Sequence, residues 1–170
     1  MCRRMLNHPE IKIMLNTDYK EVIGDIEYEQ LIYTGPIDYY FDYKLGKLKY
    51  RSIKFVFETY YCESYQPVAS TRWPRDYEYT RITEFKKLTG QKHEKTTILK
   101  EIPCDGEEPF YTFPTKKWKE LAKEYRAMAE KEDDVIFLGR LAEYKYYDMD
   151  DVIRRSLDVF SELVKDGNDE

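Results

Sequence analysis

The chain has 170 residues, a length that suits one domain or slightly more. It is 42% hydrophobic and 36% charged, the balance of a soluble folded protein, and no apolar run is long enough to span a membrane. A net charge of −5 argues against a general nucleic-acid binder, and the short polar opening Met1–Pro9 against a signal peptide.

In chain order, Met1–Pro9 reads as the end of a helix: Met5 and Leu6 are apolar, Asn7-His8-Pro9 stops it, and no upstream turn begins it. This abrupt opening predicts that the chain is the later part of a longer polypeptide. Ile11–Leu15 is predicted as a strand, Asn16–Asp18 as a turn, 19–29 as a polar loop or short pairing segment, and Leu31–Tyr33 as a second strand. Leu48 and Tyr50, then Ile53, Phe55 and Phe57, alternate with a slip of phase at Arg51-Ser52, which predicts a bulged strand.

Val68–Trp73, Tyr79–Phe85 and Thr96–Glu101, the last ended by Pro103, are three further predicted strands. Joined by turns without intervening helices, they indicate an antiparallel sheet. Tyr79, Arg81, Thr83 and Phe85 share one face, and Thr80, Ile82 and Glu84 the other. An arginine among aromatics is either a solvated stacking pair or an anion site in a cleft. After the loop Asp105–Pro109 and the extended segment Phe110–Pro114, Thr115 is predicted to cap a helix over Lys116–Lys131. Its stripe of Trp118, Leu121, Tyr125 and Met128 reads as core.

The stretch 133–155 combines a predicted strand, Val135–Leu138, a Gly139-Arg140 break, an aromatic turn through Tyr144, Tyr146 and Tyr147, and a helix capped by Asp148 or Asp150. The helix's apolar positions are Val152, Ile153, Leu157, Phe160, Leu163 and Val164, and the tail beyond it, 165–170, is polar and expected to fray. Gly139, Arg140 and a helix start together could hold a phosphate; the plainer reading is a strand–helix corner with a surface arginine. The 17 tyrosines could be cross-strand packing or the lining of a site for a sugar or nucleobase. Cys2, Cys62 and Cys104 form no C-x-x-C pattern and accompany only two histidines. That argues against a structural metal site and for a reducing compartment, with cytoplasm the expected location.

Several of these segments carry a resemblance: Asp38–Asp42, Tyr50–Phe55, Tyr79–Glu84, Glu108–Tyr111 and, longest, Gly139–Met149. Together they resemble UDP-galactopyranose mutase, in order from about Met5 to about Phe160. The resemblance implies a flavoenzyme, an isomerase that interconverts UDP-galactopyranose and UDP-galactofuranose through an adduct between N5 of reduced FAD and the sugar, for galactofuranose-containing cell-surface glycans. It implies an α+β fold: an antiparallel β-sheet domain plus the C-terminal strand–helix elements of an FAD-binding Rossmann-like domain. The divisions would be 1–37 as strands returning to the FAD domain, 38–115 as the sheet domain, and 116–170 as the last helix–strand–helix.

Residue by residue, Arg140 resembles the arginine that meets the FAD pyrophosphate, with Gly139, Asp148 and Met149 beside the cofactor. Arg81 resembles a substrate arginine that neutralises the sugar-nucleotide diphosphate, and Tyr111 and Tyr146 resemble tyrosines that donate to it. Asp148 also borders the substrate. Phe110 stands where many members have another tyrosine. The family's G-x-G-x-x-G, its tryptophan-bearing mobile loop and its first substrate arginine do not occur in these 170 residues. The chain is therefore expected to be a C-terminal half, inactive by itself and a homodimer in its full-length form, with no nucleic-acid partner and no metal. The alternative is a non-catalytic aromatic sheet module, or remnant, that binds a nucleotide sugar or a protein.

Overall fold

A computed structural model describes residues 2–106 and 108–166, and its packing falls into two units, Met1–Leu31 and Ile32–Glu170. In the first unit, α1 (Cys2–Met5) is helical, as expected for that stretch. The segment after Asp18 is helical rather than a loop: the Asp18 carboxylate accepts the Lys20 N–H at 3.0 Å and starts α2 (Tyr19–Val22), which runs into a 3-10 turn over Ile23–Asp25. The predicted strand Ile11–Leu15 does not form, and Ile13, Met14 and Leu15 are exposed. A strand needs a ladder for its N–H and C=O groups, and among the described residues no strand pairs with this segment.

The second unit holds, in order, β1 (Leu31–Tyr33), which starts one residue before the boundary, α3 (Ile37–Tyr40), β2 (Tyr50–Tyr60), β3 (Ser70–Arg72) and β4 (Arg81–Glu84). Then follow α4 (Phe85–Thr89), β5 (Thr96–Cys104), β6 (Tyr111–Thr112), α5 (Lys116–Ala129), β7 (Val135–Phe137) and α6 (Met149–Asp166). Five strands form one sheet in the order β3-β4-β5-β2-β6, every pairing antiparallel, and β1 pairs with β7 in a second, two-stranded sheet. The architecture is α+β, as expected.

The predicted bulge in β2 is instead a change of partner. Tyr50 and Arg51 pair with Thr112 and Tyr111 of β6, whereas Ser52 through Tyr60 pair with β5. The slip of hydrophobic phase at Arg51-Ser52 therefore marks where the strand passes from one neighbour to the other. Beyond it, Phe55 and Phe57 are exposed, Phe55 edge-on to Phe110 and Phe57 stacked on Phe85. The strand β5 runs through Pro103 to Cys104, because β4 has already ended opposite Glu101 and proline is tolerated where a strand has one neighbour. Phe85 leaves the strand and opens α4, which Gly90 ends at φ 70°.

The core is built from Ile37, Phe41, Leu48, Ala122, Tyr125 and Tyr144, with Trp118, Leu121 and Met128 packed against it, so the α5 stripe is core as its spacing indicates. The Tyr125 hydroxyl donates to Gly46 O at 2.8 Å and accepts the Leu45 N–H at 3.0 Å, tying α5 to the loop before β2. Buried Asp38 accepts from Leu48 N–H at 2.8 Å and from the Tyr50 hydroxyl at 3.0 Å. Burial first, and the Asp38 charge second, push the Tyr50 phenol well above its usual range. Thr115 occupies the N-cap of α5 but its hydroxyl makes no capping bond; the Thr115 carbonyl accepts from Lys119 N–H instead. In α6 the apolar positions split between two faces, with Val159 buried and Ile153, Leu157, Phe160 and Val164 exposed.

Candidate functional site

The register of the five-stranded sheet decides what faces the site. Arg72, Arg81 and Glu101 lie directly opposite one another across β3, β4 and β5, and Phe55 faces Glu101 from β2. Directly paired residues share a face, so one side of the sheet carries two arginines and a carboxylate in a row. Within β4 the alternation holds as the sequence implies: Ile82 and Glu84 are buried on the other face while Arg81 and Thr83 are half-buried. The Arg81 guanidinium is joined to Glu101 Oε1 through Nε at 2.7 Å and Nη2 at 2.6 Å. The backbone repeats the link, Thr80 N–H donating to Glu101 O at 2.9 Å.

The second wall comes from β6 and from the turn before α6. Tyr111, opposite Arg51 in the ladder, stacks its ring on that of Tyr146 with centroids 6.0 Å apart and planes 14° apart. The Arg140 guanidinium lies against both rings, 4.8 Å from Tyr111 and 5.1 Å from Tyr146, and donates to the carbonyls of Phe110, at 3.1 Å, and Tyr147. Phe110 thus contributes a carbonyl to Arg140 and an edge-on ring to Phe55. The Tyr146 hydroxyl donates to Asp148 Oδ1 at 3.0 Å, and that bond, with burial second, raises the Tyr146 phenol above its ordinary value.

Gly139 has φ 96°, a conformation that L side chains rarely adopt, and its N–H donates to Glu143 Oε2 at 2.9 Å. Asp148 precedes α6, its N–H accepted by Asp151 Oδ2 at 3.1 Å in the manner of a capping box, and exposed Met149 is the first helical residue. The first turn carries Asp150 and Asp151 as well. Three carboxylates at this end oppose a phosphate directly on the helix start, whatever its partial positive charge.

Between the two walls lies a groove of about 1010 Å³. Arg81, Tyr111 and Tyr146, singled out in the sequence, all line it; Arg140 stands behind the two tyrosines, and Gly139, Asp148 and Met149 lie outside the lining. Five further cations line it that the sequence reading assigned no role: Arg51, Arg72, Lys119, Arg126 and Lys145. Glu101 was missed too. Its signal was an acidic residue on a predicted strand that could pair with the strand of Arg81, but the register needed to align them is set by tertiary structure. Among the described residues no cluster of three or more histidine, cysteine or acidic side chains could hold a metal ion, and no helix is long and apolar enough to cross a membrane.

Six cations against one carboxylate, with tyrosines for walls, give this α+β protein a groove whose charge and lining suit an anionic organic ligand. Residues 1–146 match the family model of UDP-galactopyranose mutase, and the chain belongs to that family. Among curated relatives it is 31% identical to a dTDP-fucopyranose mutase of Escherichia coli, over 98% of this chain and 47% of that protein. It is 32% identical to a probable UDP-galactopyranose mutase of Klebsiella pneumoniae, over 96% of this chain and 44% of that protein. It is 30% identical to a UDP-galactopyranose mutase of Mycoplasma pneumoniae, over 95% and 45% respectively. The chain thus spans about half the length of the curated relatives it matches.

Proposed function

We propose that this chain forms the diphosphate-binding part of a flavin-dependent nucleotide-sugar mutase, one that interconverts UDP-galactopyranose and UDP-galactofuranose for galactofuranose-containing glycans. The observation that carries the reading is the convergence of Arg81, Tyr111 and Tyr146 on one basic groove. A nucleotide sugar brings a diphosphate, and an arginine fork with phenolic donors matches its oxygens. When the glycosyl bond breaks, negative charge grows on that diphosphate. Arg81 and the Tyr111 hydroxyl then act where the charge develops, joined by the Tyr146 hydroxyl once it turns from Asp148, and the groove's aromatic walls displace water around it. All three act on the diphosphate, which UDP and dTDP sugars share, so the E. coli relative's name is compatible with the same assignment.

The residues toward FAD fit in part. Arg140, braced by two aromatic rings and two carbonyls, is a pre-set cation suited to the FAD pyrophosphate, and Gly139 keeps the backbone beside it bare. Asp148, Met149 and the acidic first turn of α6 suit a neutral, hydrogen-bonding part of the cofactor better than a phosphate. Reduced FAD, when bound, would supply the nucleophile that takes the place of UDP at the anomeric carbon. This chain's residues hold, orient and neutralise around it. A homodimer, a cytoplasmic setting and the division into 1–37, 38–115 and 116–170 belong to the same proposal.

Calorimetric titration of the purified chain with UDP and with dTDP tests it. Binding that Arg81→Ala abolishes is the expected result; equal binding by both chains would sink the assignment. Incubation of UDP-galactofuranose with chemically reduced FAD, followed by chromatography of the sugar nucleotides, then asks whether this half alone turns over, and the expectation is that it does not.

A further inference from the structure

Arg81 does not face the groove as an unrestrained cation. Its Nε donates to Glu101 Oε1 at 2.7 Å, and its Nη2 lies in ion-pair contact with the same oxygen at 2.6 Å. The two residues sit directly opposite one another in the β4–β5 ladder. The Glu101 side chain is only 9% exposed, whereas that of Arg81 is 34% exposed. The carboxylate is thus fixed in the floor and the guanidinium leans out from it. A guanidinium has five N–H groups in a rigid plane. With the Nε–H directed at Glu101 and Nη2 held against the same oxygen, the Nη1 end of the plane is turned away from it.

We propose that Glu101 is a positioning residue for the diphosphate site: it orients the Arg81 fork before ligand arrives and offsets part of its charge. This rests on the reading of the groove given above. Two consequences are opposite in sign. Fixing the fork lowers the ordering cost of binding. A carboxylate beside the guanidinium also weakens its pull on a phosphate, so that the empty site is held in shape without an excess of positive charge at that point. The arrangement favours a diphosphate that gains negative charge during reaction over one merely resting in the groove, because the extra charge is met by a fork already aligned.

The two contributions separate by substitution. Glu101→Gln keeps an oxygen that can accept from the fork and removes the charge; Glu101→Ala removes both. UDP titrations at low and high ionic strength, with thermal unfolding in parallel, read the result. Glu101→Gln is expected to bind UDP roughly three- to tenfold tighter at low salt, with a steeper salt dependence. Glu101→Ala is expected to bind about tenfold more weakly than Glu101→Gln, because the fork is then free. A purely structural carboxylate would give weaker binding in both variants alongside lower melting temperatures, and that pattern overturns the proposal. So do affinities in both variants within twofold of the unsubstituted chain. Absence of UDP binding in the unsubstituted chain would overturn the reading of the groove itself and this proposal with it, whereas binding that ignores Glu101 but needs Arg81 overturns this proposal alone.

Discussion

Glu84 and Glu101 lie on adjacent strands of one sheet, and both are almost without solvent contact, at 0% and 7% exposure. Their partners differ. Glu84 accepts from the Tyr65 N–H at 3.1 Å, the Gln66 N–H at 3.2 Å and the Thr96 hydroxyl at 2.7 Å, all neutral donors, the first two closing the loop after β2 onto the sheet and the third on β5. Glu101 takes an arginine that also opens onto a groove. Buried carboxylates of similar exposure therefore carry different duties, and the distinction lies in whether the partner has N–H groups left to offer something else. One carboxylate closes a structure; the other prepares a site.

The largest effect that would sharpen this contrast is on stability. Glu84→Ala leaves three donors, two of them buried, without an acceptor and is expected to lower unfolding free energy by about 3 kcal/mol, read by urea denaturation, while the folded fraction keeps its affinity for UDP. A variant of wild-type stability would remove Glu84 from its structural role. Next comes Arg81→Ala, expected to abolish measurable UDP binding, a loss of roughly a hundredfold or more, in a chain that still melts cooperatively. Loss of folding instead would place Arg81 on the structural side of the comparison.

A pH titration tests the structural role of Glu84 without mutation of the groove. Burial alone would raise the Glu84 pKa, but the hydrogen bonds from Thr96, Tyr65 and Gln66 outweigh it, so the folded value lies below the ordinary 4.5. The unfolded chain then binds more protons at Glu84 than the folded one. Its contribution is complete above pH 4.5 and disappears as pH falls through the lower folded value. Glu84→Gln is expected to flatten that part of the stability curve; an unchanged acid limb would contradict the assignment. The smallest effect is a control in the core: Tyr125→Phe loses the bonds to Gly46 O and Leu45 N–H and is expected to cost about 1 kcal/mol, with UDP affinity unaltered.

Local signals were legible in the sequence where short-range chemistry decides them. The α5 stripe needs only helical spacing, the alternation in β4 only a period of two, and the start of α6 only an aspartate ahead of an apolar pattern. The segment 19–25 was not legible as helix, because a single Asp18 cap sets it going without an apolar stripe to announce it. Phe55 and Phe57 misled in the other direction: their alternation is real, but the face they share carries the groove and is not sealed. The candidate site residues were proposed by resemblance rather than by pattern, since Arg81, Tyr111 and Tyr146, which line one groove, come from three separate elements whose meeting depends on register. Glu101 escaped both routes.

The β6 strand holds Tyr111 through only two ladder positions, Tyr50↔Thr112 and Arg51↔Tyr111, whereas the floor beneath it rests on nine between β2 and β5. Amide hydrogen exchange should register that difference as a gradient, with slow exchange around Glu101 and fast exchange at Tyr111. The groove then has an anvil and a shutter. Ligands would be sorted by what the rigid floor accepts, while the yielding side sets how quickly they enter and leave.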